Sequence, residues 1–480
     1  MGNADRWWRG SLGVAVALGA VAVAAGCALC RSGGSEAVFY VSPSGCDADT
    51  GSRWHPFASL QRARDAVRAA RQETQGAARP AVVRLLSGTH MLLSPLVLEP
   101  RDSGATYEAA PGAHPVVSGG VRIAGWRKRD ERVWVAEAPW LKQRSEPFTQ
   151  LFVNGVRRPC ARTPNEGAYF YTQRLSLGPG EPGECFGFSY KKGDALPWIG
   201  QPGVRVALFH NWVNSYDRVK TVDAEKRRVE FARPAGIFFL GPEVRYYVEN
   251  SLEALDAPGE WYADCAKGEV FYYPLKGEDL TRAEVIAPVV QPSLVTVAGD
   301  WAQGAFVERV TFRGLSFQHT DADLSPNYNH SVQGAHTQRG ALFAKGLRSS
   351  VIEDCEFTRL GEHGVSLREG CASNVVRRCE FHDLGGGGVY LSEGSPTDTR
   401  DAYLTAHNTV DNNFIHDGGR IFRAACGVFM GGSASHNAVT HNEICDLSWM
   451  GVHLGWSWTG REPAYTHHND VGYNHIHHIG

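Results

Sequence analysis

The sequence predicts an all-β chain: a right-handed parallel β-helix with an N-terminal capping helix and an inserted antiparallel β module. Three observations predict it. First, Phe317, Phe357, Phe381, Ile415, Ile444 and Ile476 occupy one position of a repeat whose intervals are 40, 24, 34, 29 and 32 residues. Second, the units agree around that position. Ser350, Asn374, Asn408, Asn437 and Asn469 stand seven residues before it; Cys355, Cys379, Asn413, Asn442 and Asn474 stand two before. Third, apolar residues alternate with period two between glycine-rich breaks such as Gly364-Val365, Gly388-Val389 and Gly451-Val452, without a helical period. A short fixed pattern with loops of variable length is the signature of a stacked solenoid. Equivalent residues of successive coils then stack at the strand spacing of about 4.8 Å. A buried Asn column at a turn is expected to hydrogen-bond its neighbours above and below.

The chain has 480 residues, is 43% hydrophobic and 21% charged, and is therefore globular and long enough for two or three domains. A net charge of −3 leaves no basic field for nucleic acid. Residues 1–33 read as a leader and linker. Arg6 and Arg9 precede an apolar run, 12–25, that is too short for a comfortable membrane span and reads as an export signal. Ala24-Ala25-Gly26-Cys27 resembles a bacterial lipoprotein processing box, although Ala24 stands where Leu is usual. Lipidation at Cys27 with attachment to the cell envelope, ordinary secretion, and an uncleaved anchor stay open.

Residues 34–124 read as the cap and first coils. Residues 39–43 form a strand and turn. Ser59 caps a helix with Leu60, Ala63, Val67 and Ala70 on one face and Arg62, Arg64, Arg68 and Arg71 off it, on a solvated face. Residues 125–297 read as the inserted module. The Asn154-Gly155 pair between 151–153 and Val156 is a two-residue hairpin signal, and Lys267-Gly268 lies between two aromatic strands. Residues 298–480 are the remaining coils, which end without a cap and look truncated. The eleven Cys contain one CxxC, Cys27 and Cys30, at the leader boundary. Cys355 and Cys379 stack, either as a disulfide that export permits or as free buried thiols. No Cys/His spacing matches zinc, and neither metal nor cofactor is expected.

A resemblance joins these segments. Phe39-Tyr40-Val41-Ser42-Pro43-Ser44-Gly45, Pro56-Phe57-Ala58-Ser59-Leu60, Leu151-Phe152-Val153-Asn154-Gly155, Arg162-Thr163-Pro164-Asn165, Val248-Glu249-Asn250, the stretch 255–262, Ile415-His416-Asp417 and Ile444-Cys445-Asp446 together resemble bacterial β-helix proteins related to glycoside hydrolase family 141. The resemblance covers nearly everything after the leader. It implies enzymes that act on fucosides or xylan, with a retaining mechanism. It also implies a β-helix continuing past Gly480, with one catalytic Asp in a coil such as that of Asp446 and a second in the next coil's turn.

The residues themselves point to a column. Two residues after each repeat position stand His319, Arg359, Asp383, Asp417, Asp446 and His478. Carboxylates on successive coils lie at separations that bracket those of paired glycosidase carboxylates, about 5–9.5 Å. Turn duty is the plain alternative for any single Asp. Asp446 and Asp417 are the catalytic candidates. Trp449, His453, Trp456 and Trp458 form a sugar-stacking platform or pack beneath a long loop. His416, Glu362 and His363 are candidate substrate contacts, Glu362-His363 otherwise being an exposed loop pair. Ten of the 19 His lie from His407 onward, and His475 and His477 share a strand face, which suits a ladder or turn role. The overall reading is an exported glycoside hydrolase acting on plant or host polysaccharide or oligosaccharide. The alternatives are a polysaccharide lyase or epimerase using Arg359 and Arg368, and a non-catalytic carbohydrate-binding solenoid.

Overall fold

The computed structural model describes residues 36–72, 80–178, 184–235, 243–325, 332–392, 400–455 and 465–480. Cys27, Trp456 and Trp458 lie outside them. Three parallel sheets run side by side along one core. The first has nine strands, from Ala37–Val41 through Ala105–Ala109 and Thr311–Arg313 to Asp470–Gly472. The second has eight, from Gly88–Met91 through Pro115–Ser118, Ser316–Gln318, Glu356–Leu360, Glu380–Leu384, Phe414–Ile415 and Glu443–Leu447 to His475–Ile479. The third has seven, from Leu96–Leu98 and Val295–Ala298 to Val452–Leu454.

The repeat position holds in register. Phe317 pairs with Phe357, Phe357 with Phe381, Phe381 with Ile415, Ile415 with Ile444 and Ile444 with Ile476. The three phenylalanine rings stack at centroid distances of 4.9 and 4.8 Å inside the core. The Asn columns are ladders. Asn374 Nδ2 donates to Asn408 Oδ1 (2.9 Å), Asn408 Nδ2 to Asn437 Oδ1 (3.0 Å), and Asn437 Nδ2 to Asn469 Oδ1 (3.1 Å). A second ladder joins Asn413, Asn442 and Asn474. Each amide also binds backbone of the neighbouring coil, so burial leaves none of its hydrogen-bonding capacity wasted. Cys355 and Cys379 are free, buried thiols.

The antiparallel sheets leave and rejoin the solenoid at one level. Pro115–Ser118 pairs directly with Ser316–Gln318, and Leu96–Leu98 with Val295–Ala298, so the coils before and after are neighbours. Antiparallel pairing begins at Gly120–Arg122, against Val285–Pro288. Between them lie two four-stranded sheets and one of eight strands.

The helix Leu60–Gln72 buries Leu60, Ala63, Ala66 and Val67 against the same core. Ser59 Oγ accepts from Arg62 N–H at 3.1 Å, as an N-cap. The arginine row is not a solvated face. Arg68 binds buried Asp102 (2.5 Å) and Glu99 (3.0 Å), and Arg64 Nη1 donates to Val97 O (3.1 Å). The reason is geometric: helix and first coils pack so closely that the long side chains reach backbone and carboxylates across the seam.

Candidate active site

Every member of the predicted column has left-handed backbone. His319, Arg359, Asp383, Asp417, Asp446 and His478 have φ of 61, 55, 48, 51, 53 and 48°. Strands of the second sheet run through this position at Arg359, Asp383, Asp446 and His478, and Asp, Asn and His adopt this conformation more readily than most residues. Part of the carboxylate signal therefore has a backbone origin.

The column divides by its neighbours. His319 is buried beside Phe152, with Nδ1 2.9 Å from Ser118 Oγ, and burial pushes it down to about 3. Arg359 Nε donates to Gly155 O at 2.8 Å. Asp383 takes Arg157 Nε at 2.7 Å, while Arg157 Nη2 also donates to Leu360 O and Asp383 O. Burial alone would raise Asp383; the charge and hydrogen bond of Arg157, with Arg420 and Arg359 beyond, outweigh it and hold the carboxyl below its ordinary value. Phe152, Gly155 and Arg157 all come from the inserted module.

Among the described residues, the next two carboxylates take no bond from the module. Asp417 is paired to Arg420 at 2.5 Å and to His416 Nδ1 at 2.9 Å. Asp446 is exposed and has no ion pair among the described residues. Its neighbour Cys445 is pushed up to about 11 by burial and by its hydrogen bond to Asp446. The register Ile415 to Ile444 places Asp417 and Asp446 on adjacent coils. Beside this corner, a cavity of about 480 Å³ opens between module and coils. Asp383, Arg420, Arg157, Tyr216, Tyr247 and Glu249 are among its lining residues. Asp446 is not, and Asp417 reaches it only through Arg420.

Glu362 and His363 are neither an exposed loop pair nor within reach of a substrate, because both are fully buried. The strand His363–Leu367 begins at once, and the segment around Gln333–Ala335 covers it. Glu362 accepts from Asp323 N–H (3.1 Å) and Arg339 N–H (2.6 Å), and burial pushes it up to about 8. His363 Nδ1 accepts from Gly387 N–H (2.9 Å), so its Nε2–H donates to Ala335 O (2.9 Å). Arg368 is equally buried, donating to Ser392 O at 2.7 Å and Gln338 O at 2.5 Å, and offers no cation to an acidic sugar. Trp449 packs, half-buried, on the cluster of Tyr390, Cys426 and Phe429. His453 stacks on Phe429 at 5.0 Å.

Comparison with known proteins assigns the fold and its class. A family model for "Right handed beta helix region" matches residues 308–444, and one for "GH141 insertion domain" matches residues 131–275. A solved structure described as "Glycoside hydrolase" is similar over 92% of this chain and 83% of its own, at 25% identity and TM-score 0.78. This chain is a GH141-related β-helix protein. By class it is a glycoside hydrolase. A structure described as "The complex structure of XylC with xylose" aligns over 92% of this chain and 62% of its own, at 14% identity and TM-score 0.49. No curated protein matches the chain.

In this GH141-related protein the insertion domain carries Arg157, which locks Asp383, and Tyr216 and Tyr247, which wall the cavity. Sequence reasoning missed all of them. The Asn154-Gly155 turn announced the hairpin that presents Arg157, but nothing local announced a partner 226 residues away.

Proposed function

We propose that this glycoside hydrolase cleaves a fucoside- or xylan-type glycan at the open corner, with Asp417 and Asp446 as its carboxylate pair. The observation that carries the reading is their placement on hydrogen-bonded neighbouring coils. The strand spacing of about 4.8 Å lies near the roughly 5–5.5 Å at which paired carboxylates work by a covalent intermediate. Asp417, ion-paired to Arg420, suits the nucleophile: its carboxylate oxygen bonds the anomeric carbon as the glycosidic bond breaks. Asp446, without a cation partner among the described residues, suits the acid/base. It gives its proton to the leaving oxygen, then takes one from the water that breaks the glycosyl ester. His416 orients Asp417, and Trp449 and His453, with Trp456 and Trp458, supply the stacking surface for the sugar.

Export through residues 1–33, with lipidation at Cys27, belongs to the same proposal, as does a capping role for the helix Leu60–Gln72. No helix among the described residues is long and apolar enough to cross a membrane. The test is reducing-sugar release from fucosylated glycans and xylan by the parent and by Asp446→Asn and Asp417→Asn. Release that both variants lose, at unchanged thermal unfolding, supports the pair. Release indifferent to both moves the site to the cavity at Asp383.

A further inference from the structure

Far along the coil from the carboxylate corner, the residue before each rung of the first Asn ladder is also left-handed. In three successive coils it is histidine: His407, His436 and His468, with φ of 57, 54 and 54°. The ladder and the strand pairing of Ala438–Thr440 with Asp470–Gly472 fix the offset between coils. The imidazoles therefore stack, His407 on His436 at 5.0 Å and His436 on His468 at 4.9 Å. His467 stands edge-on to both His436 and His468, at interplanar angles of 87 and 88°. Its Nδ1 lies 2.8 Å from His468 Nδ1. One ring nitrogen from each of His436, His467 and His468 lies within 4.8 Å of the other two, and all three residues are exposed.

We propose that His436, His467 and His468 form a binding site for a divalent transition-metal ion of the zinc or nickel type, clamping two successive coils. Neutral imidazoles are the nitrogen ligands such ions favour. Around a tetrahedral ion with Zn–N of about 2.1 Å, ligand nitrogens stand about 3.4 Å apart, which small rotations of these exposed rings reach. A proton shared between two facing Nδ1 atoms and a metal ion are alternative ways to satisfy that contact. A cavity of about 690 Å³, lined by His407, His436, His467, Tyr465 and Asp401 among others, adjoins the site and leaves room for water or an anionic ligand on the ion. The clamp lies off the carboxylate column and is independent of the hydrolytic reading.

The experiment is calorimetric titration of zinc chloride into untagged, chelator-stripped protein, with thermal unfolding alongside. One saturable site is expected, with a rise in unfolding temperature of about 2–3 °C at hundredfold excess over Kd. Both effects are expected to vanish in His436→Asn and in His468→Asn. Asn keeps the left-handed backbone, so the metal-free variants should unfold where the parent does. His475→Ala, in the separate Glu443, His475 and His477 group, should bind as the parent does. Absence of saturable binding, binding that survives in His436→Asn or in His468→Asn, or binding lost only in His475→Ala would each overturn the proposal.

Discussion

His319, Arg359 and Asp383 occupy the same left-handed position as Asp417 and Asp446, on the same face of the same sheet. The first three are tied down by Phe152, Gly155 and Arg157 of the inserted domain; among the described residues the side chains of the last two bind only their own coils. The backbone alone selects residues that tolerate positive φ. What differs is the cover, and cover decides which carboxylates remain open to a substrate.

Asp→Asn substitution is the sharpest probe, because Asn accepts the same backbone and removes only charge and proton. The largest expected effects are at the open positions. Asp446→Asn and Asp417→Asn should each lower glycan hydrolysis by about 10²–10⁴-fold, with unfolding free energy within about 0.5 kcal/mol of the parent. Steady-state kinetics and urea unfolding check both halves.

Next comes the scaffold. Asn408→Ala removes the oxygen that accepts from Asn374 N–H and Nδ2, and leaves that N–H and one of the two Nδ2 hydrogens buried without a partner, the other still donating to Leu347 O. A loss of about 2–3 kcal/mol is expected in denaturant unfolding. At the covered position, Asp383→Asn should behave in the opposite sense from its open neighbours. It removes the charge that faces the Arg157 guanidinium, which keeps its bonds to the Leu360 and Asp383 carbonyls, and should cost about 1–2 kcal/mol of stability, while hydrolysis falls less than about tenfold because no proton moves there. Loss of activity without loss of stability at Asp383 would erase the distinction between covered and open positions.

Stability should also depend on pH. Burial raises Glu362 from 4.5 to about 8, so between those values the native state holds a proton that the unfolded state has released. Stability from this group is therefore complete below about pH 4.5 and declines as pH rises toward 8, by at most about 1.4 kcal/mol per unit. Glu362→Gln should flatten that slope in unfolding measured from pH 5 to 8.

The repeat was legible because inward positions of a solenoid have one job. Phe317 through Ile476 must be apolar and evenly phased, and the Asn ladders must satisfy one another, so both patterns are written in adjacent residues. The inserted domain announced its hairpins but not its docking. Arg157 to Asp383, Arg144 to Asp321 and Asn214 to the Ile421 carbonyl are contacts between distant segments with no periodic trace. Glu362 and His363 were misread for the same reason. Their polar side chains look like a surface turn until the segment around Gln333–Ala335 is laid over them, where backbone groups of Asp323, Arg339, Ala335 and Gly387 satisfy each one.

The most direct measurement is covalent trapping. Incubation with a 2-deoxy-2-fluoro fucosyl or xylosyl fluoride stabilises the glycosyl ester of a retaining hydrolase, and peptide mass spectrometry then locates the added sugar. The account predicts the label on Asp417, absent in Asp417→Asn. A label on Asp383, or on any residue off the column, would contradict it.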